Sequence, residues 1–128
     1  MTAVAALAVG FDRPGSAVGP EPVRAVALGY RRGFLVRHLP QQWATRQLLV
    51  ALANRHGCAL TDIVDQPPDE RPGVGFERLL WLAARIEGLH AIVTPSWRHL
   101  ADSEPEARGV VHWLQAQSRV PLYCGDQQ

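Results

Sequence analysis

Arginine is the residue type here that could do chemistry. Arg31-Arg32, Arg71 and Arg98 each stand at or soon after the end of an apolar run. A guanidinium presents a rigid fork of donors that matches the oxygens of a phosphate. Three such forks meeting in one crevice could hold a phosphodiester as charge builds on its oxygens. The competing expectation is plain: loop arginines are solvated, or they pair with Asp65, Asp69, Glu70 and Asp102 nearby. The charge is also uneven along the chain. Between Glu21 and Asp62 there is no acidic residue, yet Arg24, Arg31, Arg32, Arg37, Arg46 and Arg55 fall there. That asymmetry predicts a positive face on a chain whose net charge is only +1, although part of it could be an exposed helix face.

Other reactive residue types give less. Ser96 lies two residues before Arg98 and could in principle be a nucleophile; a polar cap on a strand end is the simpler reading. His38, His56, His90, His99 and His112 have no metal-ligand spacing, so surface or interface roles are expected. Cys58 and Cys124 are far apart and in no CxxC pattern, which predicts free buried thiols. Trp43, Trp81 and Trp113 fall in helical stretches and are expected in the core or facing a sheet.

The elements that must position these residues follow from the apolar pattern. Residues 10–22 are rich in Gly and Pro and read as a linker, preceded by an apolar run too short to span a bilayer. VRAVALGY, from Val23, reads as a buried strand. Pro40 to Gly57 reads as a helix, with Ala44, Leu48, Ala51 and Leu52 on one face and Gly57 after its end. CALTDIVD is a second strand, followed by the loop QPPDERPG. Residues 74–88 form a second helix, with Phe76, Leu79, Leu80 and Ala83 inward and Gly88 as its stop. LHAIVTP is a third strand. Ser103 is positioned to cap a third helix, with Glu106 three residues on and Ala107, Val110, Val111 and Leu114 inward. RVPLYC is a fourth strand. Strict alternation of strand and helix means a mainly parallel sheet covered by helices. Ligands then bind beyond the carboxyl ends of its strands, where the arginines fall.

Over about residues 25–124 the chain resembles the catalytic domain of the serine recombinases, the resolvase/invertase family. That family's first strand ends in Tyr-x-Arg-x-Ser; here the chain reads Tyr30-Arg31-Arg32-Gly33-Phe34. A Gln- and Leu-rich helix follows in both, here Gln47-Leu48-Leu49-Val50-Ala51-Leu52. Arg71-Pro72-Gly73 and Leu79-Leu80 resemble the family's Arg-x-Gly loop and Leu-Leu helix. Ser96-Trp97-Arg98-His99-Leu100-Ala101 stands where the family has Leu-Asp-Arg-Leu-Gly-Arg.

The resemblance implies a phosphate-binding set of Arg32, Arg71 and Arg98. It also implies that the catalytic residues are gone: Phe34 occupies the serine's position, and Trp97 and Ala101 replace a carboxylate and a second arginine. A phenyl ring offers no nucleophilic atom. Trp97 either plugs the pocket this leaves or stacks on Arg98.

The expectation is therefore a three-layer α/β/α domain around a four-stranded, mainly parallel sheet, resolvase-like, over residues 23–128, with residues 1–22 a flexible tail. Its function would be that of a catalytically silent serine-recombinase-like domain with a DNA-associated accessory or regulatory role. A protein-interaction module without a nucleic-acid role is the alternative, and an active phosphoryl-transfer enzyme using Ser96 the third. The reading leans against enzymatic activity. The expected partners are DNA, through its backbone phosphates, or another protein, with no membrane, metal or cofactor. Without the family's long helix after the fourth strand, a monomer or weak dimer is expected, in the cytoplasm.

Overall fold

The computed structural model describes residues 25–127, apart from the side chains of Phe34 and Gln127. The expected tail at 1–22 and the start of the first strand at Val23 lie outside the described residues. Four strands, β1 (Val26–Arg32), β2 (Ala59–Gln66), β3 (Leu89–Thr94) and β4 (Leu122–Cys124), alternate with α1 (Leu39–Arg55), α2 (Val74–Ala83) and α3 (Glu104–Ser118). All pairings are parallel and the spatial order is β2-β1-β3-β4. The sequence predicts a mainly parallel sheet; among the described strands it is wholly so.

Alternation along each strand sorts the core into two layers. Leu28, Tyr30, Val64, Ile92, Leu122 and Cys124 pack with Leu79 of α2 and with Ala107 and Leu114 of α3. Ala27 and Ala91 pack with Ala53, and Val93 with Leu49 and Leu52, all three from α1. Helices therefore cover both faces. Full burial of a leucine or isoleucine is worth about 1.5–3 kcal/mol, so the fully buried Leu28, Leu79, Ile92 and Leu114 anchor the larger layer.

Two helices have the inward faces that their spacing predicts. In α2, Leu79 is buried, with Phe76, Leu80 and Ala83 packed beside it. In α3, Ser103 Oγ accepts from Glu106 N–H at 3.3 Å and donates to its carboxylate at 3.0 Å, closing the cap. α1 differs from expectation. Leu49, Leu52 and Ala53 are buried, while Ala44, Leu48 and Ala51 are exposed. Apolar residues lie on more than one side of this helix, so periodicity alone selects the wrong face. α2 also ends at Ala83 rather than at Gly88, and β4 is confined to its last three predicted residues.

The chain moves outward from β1 to β2 through α1, then crosses back through α2 to β3 on the other side of β1. The β1–β3 boundary is thus the switch point of the sheet, the usual place for a ligand in such folds. β1 and β3 stay in register only as far as Gly29 and Val93. Beyond that pair the ladder between the two strands stops.

Candidate functional site: two cationic regions

Side chains link the ends of β1 and β3 beyond their ladder. Thr94 Oγ1, fully buried, donates to the Tyr30 carbonyl at 3.0 Å. His99 Nδ1 accepts the Arg32 N–H at 2.9 Å. His99 is therefore buried and structural, not the surface residue its sequence position suggests. Its accepting nitrogen must be unprotonated, and the ring is held neutral. Burial, then the charges of Arg32 and Arg31, push its pKa down to about 4, against a smaller opposing pull from Asp126 and Asp65. Trp97 packs against the main core, and the Arg98 guanidinium sits 5.4 Å from its ring centroid. It packs on the core and stacks under the guanidinium.

A cleft of about 300 Å³ lies beside this stitching. Its lining includes Tyr30, Arg32, Gln66, Pro68, Gly73 and Asp102. Gln66 shapes it and had no signal in the sequence beyond a polar residue before two prolines. Its Oε1 accepts Gly75 N–H at 2.6 Å, and its Nε2 donates to the Pro67, Glu70 and Arg71 carbonyls. One side chain thereby folds the whole loop from β2 to α2.

The three arginines expected to converge have different partners. Arg32 lines the cleft and is ion-paired to Asp102 at 2.9 Å. Arg71 turns to Glu77 at 2.8 Å and is not a lining residue. The hydrogen bond from Arg71 holds the Glu77 carboxyl below its usual pKa. Arg98 lies in the turn after β3, exposed, over Trp97. Arg31 points to the opposite face of the sheet, where Asp65 takes both its Nε and Nη2, at 2.8 and 3.0 Å. Arg78 pairs with Glu70 at 3.2 Å. At this end of the sheet, Arg31, Arg32, Arg71 and Arg78 pair with carboxylates, and Arg98 does not among the described residues.

Nucleophiles are scarce there. The Tyr30 hydroxyl, pushed up to about 12 mainly by burial, stays protonated at neutral pH. Ser96 occupies the cap position of the Trp97–His99 turn, but its side chain makes no cap hydrogen bond. The backbone of Phe34 lies in a single turn of 3-10 helix, Gly33–Leu35. At Gly33 a Cβ would come within 2.9 Å of the Gln66 carbonyl oxygen, so a serine cannot enter there without moving the loop.

The second cationic region is α1 with the loop that enters it. Arg37, Arg46 and Arg55 are exposed, and none has a carboxylate partner among the described residues. Trp43 is 66% exposed, Leu39 77% and Leu48 44%. Trp81 and Trp113 are exposed as well, so the expectation that these three tryptophans face the core is corrected. A groove of about 740 Å³ runs between α1 and the β2 edge, past Arg31, Trp43, Arg46 and Asp62.

Cys58 and Cys124 are free and buried, as their spacing predicts. No group of side chains suited to a metal occurs among the described residues. No helix among them is long and apolar enough to cross a membrane. No protein-family model and no curated protein matches the chain.

Proposed function

We propose that this protein is a catalytically silent α/β domain, similar to the serine recombinase catalytic domain, with a DNA-associated role exercised through the nucleic-acid backbone. One observation carries the binding half of this reading: α1 and its entry loop present Arg37, Arg46 and Arg55 with no carboxylate among the described residues to cancel them. Uncancelled guanidiniums attract phosphates and displace condensed counterions, which gives binding blind to sequence and steep in salt. The silent half rests on Phe34 at the position that the resemblance gives to the nucleophile, and on a switch point closed by Thr94, His99 and Trp97. Arg32, Arg71 and Arg98 contribute less on this reading, because the first two are already paired with acids.

The test is fluorescence anisotropy on a labelled 20-base-pair duplex at several salt concentrations. Binding on the order of 10⁻⁴–10⁻⁶ M near physiological salt, tightening steeply at low salt, is expected. No binding at low salt would remove the DNA role and leave a protein-interaction module. A plasmid incubated with the protein should remain supercoiled and free of covalent adduct; an adduct mapped to Ser96 would instead establish the enzyme reading.

A further inference from the structure

The tryptophans differ in what covers their rings. Trp81 carries the Arg85 guanidinium at 3.8 Å, Trp97 carries Arg98 at 5.4 Å, and Trp113 meets the edge of Phe76 at 6.2 Å. Trp43 is the most exposed of them, and no ring or cation among the described residues touches it. It is also the one that lines the groove between α1 and β2. Arg46 stands three residues on, so both side chains leave the same side of the helix. Across the groove, Arg31 forms part of the wall, fixed by Asp65 and by a 3.5 Å contact to the Gln42 carbonyl.

We propose that the groove between α1 and β2 binds single-stranded nucleic acid, with an unpaired base stacked on Trp43 and the adjoining phosphate held by Arg46. This rests on the backbone-binding reading above and names the form of nucleic acid that the face selects. A duplex keeps its bases stacked on one another and offers α1 only phosphates. A single strand offers phosphates and free π-faces together, and an uncovered indole beside an uncancelled guanidinium matches both. The surface is complementary in charge: from Ala25 to Thr61 it carries no acidic residue. The opposing feature is Asp62, the one carboxylate among the described residues lining the groove; one of its oxygens accepts Ile63 N–H at 2.8 Å.

The experiment compares a labelled 15-mer of deoxythymidine, a 15-mer of uridine and a duplex of equal length by anisotropy, for wild type and four variants. Trp43→Ala should weaken both single strands about 5- to 100-fold and leave the duplex unchanged. Trp43→Phe should restore most of the loss, because a ring remains. Trp113→Ala, on the opposite side of the sheet, should change nothing. Asp62→Asn should tighten single-strand binding by removing the opposing charge. A preference between the two single strands would assign the natural ligand to DNA or RNA. If Trp43→Ala leaves single-strand binding intact, or weakens the duplex equally, the stacking site is wrong while the backbone-binding reading stands. If wild type binds none of the three at low salt, both fall.

Discussion

At the carboxyl end of the sheet and on α1 the same residue type meets two different fates. Arg31, Arg32, Arg71 and Arg78 each have a carboxylate within 3.2 Å, and the exception at this end, Arg98, lies over Trp97 with no carboxylate among the described residues. Arg37, Arg46 and Arg55 on the α1 side have none among the described residues. The difference lies in where the acids come from. Asp65, Asp102, Glu70 and Glu77 belong to β2 and to the segments after β2 and β3, all of which end at the same edge of the sheet. α1 runs along one face of the sheet, within a stretch that contains no acids of its own. Exposed ion pairs add little stability, yet they cancel the local field that draws in a polyanion. What matters for binding is therefore the number of uncancelled arginines, not the total.

The largest effect expected of this contrast is in stability against acid. His99 is buried at the closed end, facing Arg32 and Arg31, with Asp65 and Asp126 opposing. Its folded pKa near 4 lies below the unfolded value of about 6.5. The unfolded chain gains the proton first, so the contribution is complete above pH 6.5 and is lost as pH falls toward 4. The loss should be about 2–3 kcal/mol, read from urea midpoints across that range. His99→Gln should flatten the acid limb; an unchanged limb would mean His99 is not the responsible group.

Asp65→Asn comes next. Arg31 is only 14% exposed, so removing its partner leaves a partly buried charge unmatched, at a cost of about 2 kcal/mol. The corresponding loss for Arg46→Gln should stay within about 0.5 kcal/mol, because nothing is left unpaired. Equal losses would break the contrast between the two regions.

A smaller, local effect is expected at Gly75. A Cβ there would meet Gln66 Cβ at 2.9 Å and Tyr30 at 3.0 Å. Gly75→Ala should cost about 1–2 kcal/mol by pushing α2 off the Gln66 bond that folds its loop. Duplex binding should not change, since α1 lies on the other face of the sheet.

The strand–helix alternation was legible because it rests on local spacing. α2 and α3 bury the faces that their leucines and alanines mark, and Ser103 caps as its spacing with Glu106 predicts. α1 was misread because Leu39, Trp43, Leu48, Leu49 and Leu52 together ring the helix, and only contact with β1 and β3 selects Leu49 and Leu52. The candidate site was legible only as a list of arginines. Their partners lie 34 and 70 residues away, for Arg31 with Asp65 and Arg32 with Asp102, and no local pattern reports such pairs. His99 escaped for the same reason, its partner Arg32 lying 67 residues away; Gln66 binds the backbone of the loop that follows it, and its residue type does not mark that role.

Two triple variants test the central claim most directly. Arg37→Gln, Arg46→Gln and Arg55→Gln together remove three charges from the α1 side; Arg32→Gln, Arg71→Gln and Arg98→Gln remove three from the sheet end. Net charge falls equally in both, so any difference in duplex binding reports location alone. The α1 triple should nearly abolish binding and flatten the log–log salt slope by about 2 to 3, while the sheet-end triple keeps most of both. The reverse outcome would contradict the account and return the phosphate site to Arg32, Arg71 and Arg98.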